Sequence, residues 1–144
     1  MKTAILDRAH LPAVAELEAL CFPRPWSETA LAHLLKEENF GIVVLDGNTV
    51  LAYAGLVTAL DEGEITNVAT HPNHRRRGAA RVALLSLVEE ARVRGIGRLT
   101  LEVRESNTAA QALYASLGFT PCGIRKDFYT SPRENALILE KTIN

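Results

Sequence analysis

Between residues 64 and 103 the hydrophobic spacing of this chain changes twice, and no other feature restricts its fold as much. The β-rich run Glu64–Thr70 leads through a basic turn into a stretch where Ala80, Ala83, Leu84, Leu87, Val88 and Ala91 recur at helical intervals. This amphipathic helix stops near Gly95, and Arg98–Val103 is β-rich again. A strand, a helix and a second strand in that order form a right-handed crossover that sets the two strands parallel.

Upstream, Gly41–Leu45 and Val50–Leu60 are β-rich runs joined across Asp46-Gly47-Asn48, where Gly and Asn tolerate the positive φ of a hairpin turn. Asp61-Glu62-Gly63 reads as the next turn, so the middle of the chain is an antiparallel meander. Before it, a short apolar stretch (Thr3–Leu6) precedes a helical stripe of Leu11, Val14, Leu17, Ala19 and Leu20, ended by Pro23. Ser27 then caps a second helix through Leu35. Downstream, Asn107–Leu117 predicts a helix with Ala109, Ala112, Leu113 and Leu117 inward and Gly118 as its stop. Final strands around Phe119–Ile124 and Glu134–Lys141 close the sheet. The expected fold class is α/β (α+β): a mixed, mostly antiparallel sheet of about six to seven strands with about four helices on both faces. No repeat, low-complexity tract or linker divides the chain, so residues 1–144 are expected to be one domain.

The chain's 144 residues can bury roughly two-thirds of the unfolded surface. Hydrophobic residues make up 47%, and 16 Lys+Arg nearly balance 17 Asp+Glu, which fits a soluble globular protein and argues against global steering toward nucleic acid. No window approaches eighteen uninterrupted apolar residues, and a charge at Asp7 interrupts the start too early for a secretory signal; a cytoplasmic location away from membranes is expected. Cys21 and Cys122 lie far apart and read as packing residues. His71 and His74 lack a further ligand cluster, so they read as solvated loop residues and no metal is expected.

The densest chemistry lies in the basic turn, from Ala69 through His71-Pro72-Asn73-His74 to Arg75-Arg76-Arg77-Gly78-Ala79-Ala80-Arg81. It opens a helix, whose first turn carries unpaired N–H groups and the positive end of the helix dipole, together suited to a pyrophosphate. The small residues Gly78, Ala79 and Ala80 let phosphate oxygens reach the backbone. No Lys-Ser/Thr pair follows the glycine, and the Gly-x-Gly-x-x-Gly pattern is missing, so a P-loop and a dinucleotide fold both fail. A basic surface turn whose small residues only help the helix pack is the competing interpretation.

Arg75-Arg76-Arg77-Gly78-Ala79-Ala80 resembles the cofactor motif Arg/Gln-x-x-Gly-x-Gly/Ala of the GNAT acetyltransferase superfamily. The likeness implies acetyl-CoA as donor, its pyrophosphate held by Arg75 through Arg81 and its pantetheine arm beside Val68, Ala69 and Thr70. Leu99-Thr100-Leu101-Glu102-Val103-Arg104, Ser106-Asn107, Ala112-Leu113-Tyr114 and Leu117-Gly118-Phe119 narrow the resemblance to the RimI branch, the bacterial ribosomal-protein-alanine N-acetyltransferases. Pro25-Trp26-Ser27-Glu28 and Pro132-Arg133-Glu134-Asn135-Ala136 extend the match over nearly the whole chain.

In that branch the carboxylate at Glu102 is the general base and the phenol at Tyr114 the general acid. The residues themselves agree, because Glu102 ends a parallel strand, where α/β sheets open to ligands, and a phenol can protonate a leaving thiolate. An ordinary surface glutamate and a packing tyrosine are the structural alternatives. Asn107 reads as a helix cap, to which the resemblance adds a contact with the cofactor arm. The resemblance also implies a peptide groove between Phe22–Trp26 and Arg125–Tyr129, with Trp26 and Tyr129 touching the substrate. Relatives often carry two tyrosines where this chain has Phe128-Tyr129.

A protein N-terminus suits this chemistry. Removing its ammonium proton at pH 7 costs about 1.1 kcal/mol, against about 4.6 kcal/mol for a lysine side chain. The expected partner is a small-subunit ribosomal protein beginning with alanine. Acetylation of a small amine or internal lysine, and a non-catalytic acyl-CoA-binding module, are the alternatives.

Overall fold

The computed structural model describes residues 1–143, and the meander and crossover read from the sequence form one seven-stranded sheet. Its strands are β1 (Lys2–Ile5), β2 (Phe40–Asp46), β3 (Thr49–Ala59), β4 (Glu62–Thr70), β5 (Arg98–Arg104), β6 (Thr120–Thr130) and β7 (Arg133–Thr142), in spatial order β1-β2-β3-β4-β5-β7-β6. Only β4 and β5 are parallel neighbours, as the crossover requires; every other pair is antiparallel. The helices are α1 (Leu11–Cys21), α2 (Glu28–Leu31, continued as a 3-10 turn over Ala32–Leu35), α3 (Ala79–Val93) and α4 (Thr108–Ser116).

Strand alternation divides the core into two layers. On one face Ile42, Val44, Ala52, Ala54, Leu99, Leu101 and Val103 pack against Ala83, Leu84 and Leu87 of α3 and Tyr114 of α4. On the other, Val43, Tyr53 and Ala69 meet Leu11, Val14 and Leu17 of α1 and Leu31 beyond it. Leu84 and Leu87 have no exposed surface, and burying each contributes about 1.5–3 kcal/mol.

The structure departs from the sequence expectations in four places. The β3–β4 turn is tighter than Asp61-Glu62-Gly63, because Glu62 already pairs with Ala59 and Leu60 takes the left-handed conformation at φ 59. In α1, Ala19 and Leu20 face solvent and Glu18 is buried in their place. The 3.6-residue period from Leu11 and Val14 runs on to Glu18, which a count of apolar residues passes over. In α4, Ala109 and Ala112 are exposed and Tyr114 carries the buried face. Cys21 packs as expected, but Cys122 is exposed on β6, an edge strand that extends well beyond Phe119–Ile124 to Thr130.

Candidate active site

The sheet opens where its parallel strands meet. β4 and β5 pair through Glu62 with Arg98, Gly63 with Leu99 and Glu64 with Thr100, then stop, although β4 continues to Thr70 and β5 to Arg104. A β-bulge lies at this point: Leu56 of β3 faces Ile65, but the adjacent Gly55 faces Asn67, which leaves Thr66 as the extra residue. One added residue reverses which face each later side chain takes. Asn67 and Ala69 therefore point toward α1, and Val68 packs on the α3 side. The main chain of Val68, Ala69 and Thr70 borders the parting, with the far end of β5 across from it.

The basic turn stands at one end of that parting. Gly78 adopts φ 77, in the left-handed region, and heads α3 without a side-chain cap. The first intrahelical bond runs from the Val82 N–H to the Gly78 carbonyl at 3.0 Å, so the amides of Ala79, Ala80 and Arg81 precede the helical ladder. The arginines divide by task. Arg77 donates to Asp46 of the β2–β3 hairpin at 3.3 Å, and Arg81 donates to Ser116 of α4 at 2.7 Å. Among the described residues, neither Arg75 nor Arg76 forms an ion pair, and both side chains are exposed. Asn107 accepts from the Ala110 N–H at 3.1 Å and caps α4, as its position predicts.

Glu102 and Tyr114 lie on opposite faces of the sheet. Leu101 and Val103 face α3, so Glu102 between them faces the α1 side, and Tyr114 sits in the α3–α4 layer. Burial raises the proton affinity of the Glu102 carboxyl; the negative charge of Glu64 raises it further, and Arg125 opposes both. The Arg125 Nε lies 3.1 Å from a Glu102 oxygen. Burial, with a smaller effect of Tyr129, pushes the Tyr114 phenol up to about 12. Its ring packs edge-on to Phe119, 5.9 Å between centroids. Burial, and then the charge of Glu102, raise the Tyr129 phenol above its ordinary value, and Arg104 opposes them.

Arg104 holds Tyr129 in place. Its guanidinium stacks 4.2 Å over the ring and donates to the Pro132 carbonyl at 2.9 Å and the Ser131 carbonyl at 3.1 Å. It also donates to Glu134 at 3.1 Å, and Glu134 accepts the Ser106 N–H at 2.6 Å. The β6–β7 hairpin and the start of α4 are thus joined through the end of β5.

A model of the Acetyltransferase (GNAT) family matches residues 11–119. The chain belongs to that family. It is 37% identical to the [ribosomal protein bS18]-alanine N-acetyltransferase of Escherichia coli (strain K12) over 141 residues, 96% of this chain and 95% of the relative. The enzyme of the same name from Haemophilus ducreyi (strain 35000HP / ATCC 700724) is 37% identical over 127 residues, covering 86% of this chain and 88% of its own length. The crystal structure of the ribosomal-protein-S18-alanine N-acetyltransferase from Escherichia coli matches with a TM-score of 0.90 at 36% identity, over 99% of this chain and 95% of that one.

As a GNAT acetyltransferase the chain is an acyltransferase, and acetyl-CoA is its donor. The basic turn fits that donor: a Cβ built on Gly78 meets nothing within 4 Å, which leaves the approach to the helix amides open. Gly78→Val therefore strains the turn without a packing clash. Initial-rate kinetics should show the KM for acetyl-CoA rising about tenfold, because a side chain in this left-handed conformation costs about 1–2 kcal/mol, which the variant avoids by leaving the conformation that presents the helix amides.

Across the sheet from α3 lies the half-buried Trp26, one residue before Ser27, which caps α2 by accepting the Ala30 N–H at 3.2 Å. The Trp26 backbone N–H leads to a cluster of three residues missed in the sequence: Glu18, which accepts that N–H, and Tyr53 and Asn67, which donate to the same carboxylate. Glu18 and Tyr53 have no exposed surface, and burial together with the Glu18 charge raises the Tyr53 phenol far above its ordinary range. The helical period alone could have found Glu18; Asn67 depends on the bulge, which has no local sequence signal here.

Proposed function

We propose that this GNAT chain acetylates the N-terminal α-amine of a protein, an alanine at the start of a ribosomal protein, in the cytoplasm, with residues 1–144 acting as one catalytic domain. The observation that carries this reading is the placement of Glu102 and Tyr114 on opposite faces of a parted β4–β5 seam, in a chain similar over nearly its whole length to ribosomal-protein-alanine N-acetyltransferases.

Acetyl-CoA supplies an acyl carbon activated as a thioester. The amides of Ala79, Ala80 and Arg81 and the charges of Arg75 and Arg76 bind its diphosphate, and Arg77 and Arg81 brace the turn against Asp46 and Ser116. The main chain of Val68, Ala69 and Thr70 pairs with the pantetheine amides, and an N–H of this strand polarises the thioester carbonyl. Asn107 caps α4 and places its free amide beside the same arm. Trp26 and Tyr129 flank the entering peptide.

Glu102 takes the proton from the α-ammonium, directly or through one water, and so frees the lone pair for attack. Its raised proton affinity brings it closer to that of the amine. Tyr114, protonated throughout the neutral range, donates its proton to the departing sulfur.

The test is mass spectrometry after incubation with acetyl-CoA and two peptides, one beginning with Ala and one with a blocked N-terminus and an internal Lys. Acetyl is expected at the α-amine of the first peptide. Acetyl only on lysine, or CoA binding without transfer to either, overturns the reading.

A further inference from the structure

Glu18 is a completely buried carboxylate that the chemistry above does not use. Among the described residues it has no cationic partner; three donors satisfy it instead. Its Oε1 accepts the Trp26 backbone N–H at 2.9 Å, and its Oε2 accepts Asn67 Nδ2 at 2.7 Å and the Tyr53 hydroxyl. These donors come from three places: the loop after α1, the β4 bulge and the centre of β3.

Phe22 and Trp26 pack on the α1-side core, but the loop's main chain has few donors with which to fix itself. Residues 22–26 are Phe22-Pro23-Arg24-Pro25-Trp26, and the two prolines carry no N–H, so the segment has amide donors only at Phe22, Arg24 and Trp26. Two of the three end on Glu18, because the Phe22 N–H donates to its carbonyl at 2.9 Å. Asn67, bound to the same carboxylate, immediately precedes Val68, Ala69 and Thr70. The Glu18 side chain therefore connects the loop that carries Trp26 to the strand that borders the parting, beside a second link at the end of α1, where the Cys21 thiol donates to the Thr70 carbonyl at 3.2 Å.

We propose that Glu18 is a positioning residue for the acceptor: its carboxylate fixes the Trp26 loop to the β4 bulge and so sets where the peptide meets the thioester. This inference rests on the reading of Trp26 as a wall of the peptide groove. Chemistry explains the choice of residue. A carboxylate can only accept, and it offers enough lone pairs for all three donors at once. Glutamine keeps the bond that anchors the loop, since its oxygen can take the Trp26 N–H, while Asn67 rotates its amide and the Tyr53 oxygen turns so that both accept from the new NH2, at the loss of the Tyr53 donation. Methionine fills the same volume and satisfies none of them.

Because Trp26 is the only tryptophan, its fluorescence reports on this loop alone. In full-length Glu18→Met the KM for an Ala-starting peptide should rise about tenfold and acrylamide quenching of Trp26 should increase, with the KM for acetyl-CoA changed less than about twofold. Glu18→Gln should restore both readouts to nearly wild-type values. Glu18→Asp, shorter by one methylene, should shift them in the same direction as methionine, and it replaces that variant if methionine prevents folding. Unchanged quenching and peptide KM, or an equal rise in both KM values, overturns the inference. Increased quenching with a peptide KM that neither Glu18→Met nor Trp26→Ala alters would instead remove Trp26 from the groove, and with it the reading beneath the inference.

Discussion

Replacing Glu102 with Gln lowers kcat by about a hundredfold or more while CoA binding stays within about twofold, because a positioned base contributes 10²–10⁴ and this side chain is remote from the phosphate turn. Single-turnover kinetics and CoA calorimetry measure the two quantities. Full activity in the variant would remove Glu102 from the chemistry. The wild-type pH profile should carry the same signature. Only the ionised carboxylate accepts a proton, so the rate falls as pH drops through its pKa. Burial and Glu64 raise that pKa, so the acid limb lies above the usual carboxylate range; Arg125→Ala removes the opposing charge and moves the limb higher. A carboxyl whose folded pKa is raised favours the folded state while protonated, and this benefit is lost as pH rises through the folded pKa. At neutral pH Glu102 thus opposes folding, and Glu102→Gln should melt no lower than wild type.

Tyr114→Phe should also lower kcat by about a hundredfold, with a different pH signature. With its phenol pushed up to about 12, Tyr114 stays protonated in any practical assay, so the deficit should be the same at every pH tested. Phenylalanine keeps the edge-on contact with Phe119 and the buried position in the α3–α4 layer, so melting should change little. A deficit that grew with pH, or none at all, would contradict its role as the acid.

Local patterns made much of the architecture readable. The shift from strand to helical spacing around Gly78 identified the crossover, and the Asp46-Gly47-Asn48 turn identified the meander, because each depends on neighbours in sequence. The left-handed turn at Gly78 that opens α3 was equally local. The buried cluster around Glu18 was not. Glu18 was passed over because a buried acid breaks the apolar pattern that marks a core helix, and its partners Trp26, Tyr53 and Asn67 converge only in three dimensions. Nor could sequence place β7 between β5 and β6, since strand order is decided by long-range pairing.

The early end of β4–β5 pairing has an evolutionary consequence. Where partners are read by peptide N–H and C=O groups, mutation can alter the overlying side chains without erasing recognition. Trp26 and Tyr129, by contrast, are side chains on a loop and a hairpin. Lineages sharing this scaffold are free to diversify what they modify while conserving what they spend to modify it.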